Sequence, residues 1–251
     1  MYQFFIEDEN AAEDFVTIEG SDVNHIKNVL RMKPGEKIRV CTRNGQNYFC
    51  SISDITESFV RADILEKEAE STELPCRIYL FQGLPKNDKM EWIIQKTVEL
   101  GVYEVIPVVM KNCVVKLDDK KARSKVTRWQ AIAESAAKQS KRSLIPEVKM
   151  PMSYKEAVAY ARKLDVKLVP YENEHGMAGT KAAMEQIKKG ESIAVFIGPE
   201  GGFAPEEIEM VRDEMQLISL GKRILRTETA GIATLAILGY QLESLADAGE
   251  D

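Results

Sequence analysis

IAVFIGPEGGFAPEE, residues 193–207, is the stretch on which the fold turns. An apolar run, Ile193 to Ile197, breaks into Gly198-Pro199-Glu200-Gly201-Gly202, and Pro205-Glu206-Glu207 then opens a helix. Pro at the first helical position with acids in the first turn is a good helix start. Glycines between a buried strand and a helix are used where something approaches the backbone closely. Strand, glycine loop and helix in this order point to an α/β sheet with a ligand site beyond its strand ends.

The surrounding pattern agrees from Pro75 onward. Strands are predicted over 77–84, 104–110, 167–170, 193–198 and 217–220. Helices are predicted from a capping box at Asp88-Lys89-Met90-Glu91 to the stop at Gly101, over 124–141, from Ser153 with Glu156 three residues on, and over 228–246. Residues 1–72 read differently, with short strands at 2–6, 37–41, 48–55 and 59–65 and turn signals at Pro34-Gly35 and Asn44-Gly45. One short helix is predicted over 22–31. This portion reads as a small β-barrel, and the acidic stretch 66–73 as a linker.

Several loops follow the predicted strands: Gln82 to Lys86, Tyr171 to Glu174, Gly198 to Gly202 and Gly221 to Arg223. In a parallel sheet they share one edge. The residues argue against a nucleotide phosphate there. Neither G-x-x-x-x-G-K-S/T nor G-x-G-x-x-G occurs. Glu200, Glu206 and Glu207 place negative charge where a helix N-terminus would otherwise favour an anion. A neutral adenosine carrying a positive sulfonium meets no such repulsion.

Composition narrows the class. The 251 residues are 44% hydrophobic and 29% charged, with a net charge of −6. No apolar run reaches the ~20 residues of a membrane span, and the N-terminus lacks the features of a signal peptide. Cys41, Cys50, Cys76 and Cys113 form no C-x-x-C pair, which argues for reduced thiols and against a zinc site. A cytoplasmic protein without a metal and without a membrane partner is expected. Residues 1–22 hold seven acids and no Lys or Arg. His25 to Arg43 carry six basic residues against Glu36, and Lys120 to Arg142 carry eight against Glu134. Such patches suit RNA phosphates whatever the total charge, although a solvated basic face would read the same. Trp92 and Trp129 fall within predicted helices and are expected in the core.

IGPEGGFAPEEIE (197–209) followed by LISLGKRILRTETAGIATLAIL (217–238) is similar to the C-terminal signature of the bacterial 16S ribosomal RNA uridine-N3 methyltransferases of the SPOUT superfamily, which use S-adenosylmethionine. HIKNVLRMKPGEKI (25–38), LPKNDKMEWIIQKTVELGV (84–102) and RWQAIAESAAKQSKR (128–142) extend the resemblance over essentially the whole chain. It implies a PUA-like RNA-binding β-barrel over 1–72 and a SPOUT methyltransferase domain over 73–251. That domain would carry a deep trefoil knot and assemble as a homodimer. Gly231, Ala233, Ala236 and Gly239 suit a helix approached closely by another, whether from a second subunit or from the same one. Two positions depart from the family: Gln3, where a basic residue is usual, and Ala204, which lacks a capping oxygen at a cost of about 1 kcal/mol.

Methyl transfer from a sulfonium releases a neutral thioether, so it needs alignment and a competent nucleophile rather than an acid. Uridine N3 must be unpaired and lose its proton. On the resemblance, S-adenosylmethionine is held by the backbone of Gly198, Gly201, Gly202, Leu220, Gly221, Ile224 and Leu225, with Tyr171 and Glu172. Arg226 orients the base or stabilises its anion. Glu200 and Glu228 are candidates to accept the proton or to orient Arg226. His25, Lys27, Arg31, Lys86, Gln139, Lys141 and Arg142 are candidates for contacting 16S rRNA, free or within the assembled small subunit. The competing readings are a ribose 2′-oxygen or guanine nitrogen acceptor on the same fold, and a non-enzymatic RNA-binding protein.

Overall fold

The computed structural model describes residues 1–68 and 71–247. The chain divides into two compact units, residues 1–73 with 137–145, and residues 74–136 with 146 onward.

The first unit is a curled five-stranded sheet. Its strands are β1 (Tyr2–Ile6), β2 (Phe15–Glu19), β3 (Lys37–Thr42), β4 (Asn47–Ile55) and β5 (Phe59–Glu68), in the order β1-β3-β4-β5-β2. β1 runs parallel to β3, and the remaining pairs are antiparallel. Gly45, at φ +88, makes the β3–β4 turn. The pleat turns Phe4, Ile6, Val16, Ile18, Ile38, Val40, Ile52 and Val60 into one core. β2 was not foreseen, although Val16 and Ile18 alternate as a half-buried strand requires. The helix predicted over 22–31 is α1 (Ser21–Asn24), which widens into a π turn at His25–Val29.

Residues 66–73 are not a simple linker: β5 continues to Glu68, and Glu73 is bonded to Arg142 and to the Ser143 main chain. Residues 69 and 70 of that stretch lie outside the described residues. The same bonds, with those from Gln3 and Arg39, explain why 137–145 belongs to the first unit.

The second unit is α/β. Its strands are β6 (Arg77–Gly83), β7 (Val102–Val109), β8 (Glu147–Val148), β9 (Met152–Ser153), β10 (Val166–Pro170), β11 (Ser192–Ile197) and β12 (Gln216–Ile218). The sheet order is β12-β10-β11-β6-β7-β8, with β9 also on β7, and every pair is parallel. The helices are α2 (Lys89–Glu99), α3 (Asp119–Ser140), α4 (Tyr154–Ala161), α5 (Ala178–Glu185), α6 (Pro205–Val211) and α7 (Thr227–Asp247). Phe81 and Phe196, opposite each other on neighbouring strands, stack with centroids 4.4 Å apart. Tyr154 meets Phe196 edge-on.

α2 buries its predicted stripe, Met90, Ile93, Ile94, Thr97 and Val98, and Gly101 ends it at φ +91. Its predicted capping box does not form. The Glu91 amide donates to the Asp88 carbonyl instead, and the Glu91 carboxylate takes Arg128 at 2.8 Å. The Ser153–Glu156 box at α4 does form. At α6 the half of the box that Ala204 permits is present, its amide donating to Glu207 at 2.8 Å. α5, β8 and β9 were not foreseen. α5 has no side-chain cap and carries Gly179, and the two strands are only two residues long. No helix among the described residues is long and apolar enough to cross a membrane.

Candidate functional site

Because the second sheet is all parallel, the loops after β6, β7, β10, β11 and β12 leave at one edge. The glycine loop 198–202 is fixed there from three sides. Gly83, at the end of β6, lies beneath it: a Cβ on Gly83 would fall 2.6 Å from Pro199 N and 3.0 Å from the Gly198 carbonyl carbon. Asn112, after β7, donates through Nδ2 to the carbonyls of Gly201 at 3.0 Å and Gly202 at 3.2 Å. A Cβ on Gly201 would sit 2.9 Å from the Asn112 Cβ. The third tie is buried: Gln82 Nε2 donates to Thr227 Oγ1 at 2.9 Å, and that hydroxyl donates to the Gly198 carbonyl at 2.6 Å. Backbone laid this tightly on backbone leaves no room for side chains.

The second loop, 219–226, is held by Thr180, which exchanges hydrogen bonds with the Ser219 main chain at 2.9 and 3.0 Å. Gly221 adopts φ +100, and a Cβ there would meet nothing within 4 Å. The main chain of β10 brings Tyr171 alongside, its amide donating to the Ile218 carbonyl at 3.0 Å. Tyr171, Leu220 and Leu225 are half-buried, so apolar surface remains next to the open space at Gly221. These residues fit a cofactor with an adenosine moiety. Ile224 differs, being 87% exposed, and offers the site its backbone alone.

The acidic residues divide by partner. Glu206 pairs with Lys111, and Glu207, buried, accepts the Lys111 amide at 2.8 Å as well as that of Ala204. The start of α6 is thus filled by its own carboxylate. Glu200 and Glu228 both face Lys89, at 3.1 and 3.2 Å. Neither pairs with Arg226 among the described residues, so of the two roles expected for them, proton acceptor or orienter of Arg226, the second has no ion pair behind it. Arg226 is exposed and makes no ion pair among the described residues. Burial pushes the Glu200 carboxyl up, but the Lys86 amide, its own amide and Lys89 outweigh it, and it lies below the usual carboxylate range. Glu172 is exposed, with Oε1 2.7 Å from where a Gly202 Cβ would lie, and it makes no hydrogen bond or ion pair among the described residues.

The RNA candidates fare unequally. In the first unit, His25 and Arg31 are exposed, Arg31 at φ +53, and Gln139 is exposed in the last turn of α3. Lys27 is paired with Glu57. Lys141 is half-buried, its Nζ donating to the Met1 carbonyl at 2.6 Å. Arg142 is corrected outright: it is 3% exposed and its guanidinium is bonded to Glu73, so it does not face a ligand. Gln3 is likewise buried, donating to the Arg142 carbonyl at 2.6 Å. In the second unit Lys86 is exposed, beside a cavity of about 220 Å³ lined by Asn87, Asp88, Lys125 and Trp129 among others. Trp129 is buried as expected, but Trp92 is 53% exposed with Lys96 over its ring. The apolar stripe of α2 closes without Trp92.

On α7, Gly231 faces its own sheet, where a Cβ would be 3.4 Å from Gln82 Oε1. It is therefore not open to another subunit. Gly239 is open, beside exposed Ala236, Ile237 and Tyr240. No group of three His, Cys, Asp or Glu side chains suited to a metal occurs among the described residues.

Sequence reasoning missed Gly83, Asn112, Thr227 and Lys89. A polar residue just past a buried strand, as in Met110-Lys111-Asn112, is the signal that could have found Asn112. Nothing local marks the others, because their partners lie tens of residues or more away, from 29 between Thr227 and Gly198 to 145 between Thr227 and Gln82.

Residues 72–239 match the family described as RNA methyltransferase domain, and residues 18–65 the family described as RNA methyltransferase PUA domain. The chain is 38% identical over 252 residues to ribosomal RNA small subunit methyltransferase E of Bacillus subtilis (strain 168), covering 98% of each chain. Among solved structures, ribosomal RNA small subunit methyltransferase E from Neisseria gonorrhoeae, bound to S-adenosyl methionine, superposes with a TM-score of 0.82 at 32% identity. That match covers 96% of this chain and 97% of the other. A Legionella pneumophila methyltransferase with bound SAM also gives 0.82, at 30% identity, over 95% of this chain and 97% of its own.

Proposed function

The chain belongs to the RNA methyltransferase family, and from that premise we propose that it transfers a methyl group from S-adenosylmethionine to N3 of a uridine in 16S rRNA. The observation that carries the reading is the pinned glycine loop on the same sheet edge as the open space at Gly221. Relatives that act on small-subunit rRNA, one of them solved with S-adenosyl methionine, support the substrate and the donor.

When bound, S-adenosylmethionine supplies an electrophilic methyl group on a sulfonium. The backbone of Gly198, Gly201, Gly202, Leu220, Gly221, Ile224 and Leu225 holds it, with Tyr171 providing apolar surface. The Glu172 carboxylate, without a partner among the described residues, offers the compensating negative charge, since those of Glu200, Glu206 and Glu207 are engaged. Arg226, without an ion pair among the described residues and one residue before α7, orients the uracil and steadies the anion left at its oxygens when the N3 proton passes to solvent water. The cavity beside Lys86 combines apolar walls with Asn87, Asp88 and Lys125, a chemistry suited to an unpaired base.

In this reading the portion up to residue 72 binds RNA, through His25, Lys27 and Arg31 with Gln139 and Lys141, and residues 73–251 carry the transferase site with Lys86 at its edge. The tight laying of the 198–202 loop on Gly83 and Thr227 supports a knotted cofactor loop. Exposed Ile224, Ile237 and Tyr240 support a homodimer. The protein would work in the cytoplasm, where its substrate is assembled.

The test is methylation of small ribosomal subunits, and of naked 16S rRNA, from cells lacking the modification, followed by nucleoside mass spectrometry. 3-Methyluridine is expected. A methylated ribose or guanine would overturn the acceptor, and no product with no cofactor binding would overturn the enzyme.

A further inference from the structure

Lys89 opens α2, and its Nζ lies 3.1 Å from Glu200 Oε1 and 3.2 Å from Glu228 Oε2. Glu200 belongs to the glycine loop after β11, and Glu228 to the first turn of α7. Three segments, each more than 25 residues from the next, therefore meet on one ammonium. Glu200 Oε1 also accepts the Lys86 amide at 3.0 Å. The side chains are sheltered, at 28% exposed for Lys89, 25% for Glu200 and 19% for Glu228. Glu228 Oε2 is itself shut off from water and accepts no aligned hydrogen bond among the described residues, so the ammonium is what offsets its charge.

Two carboxylates that share one ammonium repel each other once it is removed. The neighbouring charged and titratable groups do not replace that cation. Glu91, on α2, is taken by Arg128, Cys113 lies towards Glu207 and Glu200, and Arg226 forms no ion pair among the described residues.

We propose that Lys89 is a positioning residue for methyl transfer, holding Glu200 and Glu228 as one ionised pair and so pinning the glycine loop to the turn that follows Arg226. The proposal rests on the methyltransferase reading above. It also means that neither carboxylate is free to take the N3 proton while Lys89 holds both. The interaction strengthens the Lys89 ammonium, whose pKa is raised chiefly by Glu200.

The test compares wild type with Lys89→Met, Lys89→Arg and the double variant Lys89→Met/Glu228→Gln. Single-turnover methylation of small ribosomal subunits is measured across pH 5 to 9, together with S-adenosylmethionine affinity. The carboxyl titrations of ¹³C-labelled glutamates are followed by NMR in the same proteins. Lys89→Met should lower the rate about 10- to 100-fold while changing cofactor affinity less. It should move the acid limb of the profile towards neutrality by about one pH unit or more. Lys89→Arg should restore most of the rate, and the double variant should lose the shifted ionisation. A Lys89→Met profile parallel to wild type, or no glutamate titrating higher in that variant, overturns the proposal. A wild type that transfers no methyl overturns the methyltransferase reading instead, and the NMR titration still decides whether Lys89 holds the pair.

Discussion

In the first unit the carboxylate of Glu73 closes over the guanidinium of Arg142, accepting Nε at 3.1 and 3.2 Å and the Ser143 amide at 2.8 Å. Arg142 is buried, and its carbonyl in turn accepts from Gln3. A basic residue placed among candidate RNA contacts is thus a fastening of the fold. Breaking one side of a buried pair strands the other charge.

Arg142→Ala is therefore expected to lower stability by about 3 kcal/mol or more, read as a lower urea midpoint. Arg31→Ala, at an exposed side chain, should leave that midpoint nearly unchanged and flatten the salt dependence of rRNA binding by about one phosphate contact. The reverse pattern would restore Arg142 to the RNA surface.

Gly83→Ala puts a methyl group against the main chain of Pro199 and Gly198, which no rotamer change can relieve. It is expected to cost about 1–3 kcal/mol and to weaken S-adenosylmethionine binding in calorimetry. Unchanged affinity would mean that the 198–202 loop is not the cofactor loop.

Arg226→Ala removes an exposed guanidinium that makes no ion pair among the described residues, and leaves the pinned loops intact. Methylation should fall about 10²- to 10³-fold, with cofactor affinity close to wild type. A variant as active as wild type would take Arg226 out of the chemistry.

Tyr240→Glu places charge on the exposed face of α7 beside Ile237, where a second copy is proposed to pack. Sedimentation should show a shift from dimer to monomer, with dissociation at least about 10-fold easier. A wild-type monomer would refute the interface.

The carboxyls of Glu206 and Glu214 are lowered first by hydrogen bonds from Lys111 and Arg162, and that of Asp165 by the Ser192 hydroxyl. Glu200 lies low as well, the donors around it outweighing its burial. Each binds its proton less readily folded than unfolded. Their stabilisation is complete above the unfolded carboxylate range near ~4 and is lost as pH falls through the folded values. Urea midpoints should therefore hold from pH 7 to 5 and drop below pH 4, and a midpoint that rises below pH 4 would contradict this.

Much of the fold was legible because it is written in local periodicity. The apolar run 193–197, the stripe Met90-Ile93-Ile94-Thr97-Val98 and the Ser153–Glu156 box each determine their element from neighbouring residues alone. The glycine loop announced a close approach, and the resemblance named a cofactor for it. What approaches the loop in this chain is its own backbone at Gly83 and the side chain of Asn112. Only the tertiary structure decided that, as it decided that Arg142 is buried, that Trp92 is exposed, and that Glu200 and Glu228 share Lys89 rather than serve Arg226. A charge's role depends on the partner within about 4 Å. For these residues that partner comes from a segment tens of residues or more away, whose position is set by strand pairing across the sheet.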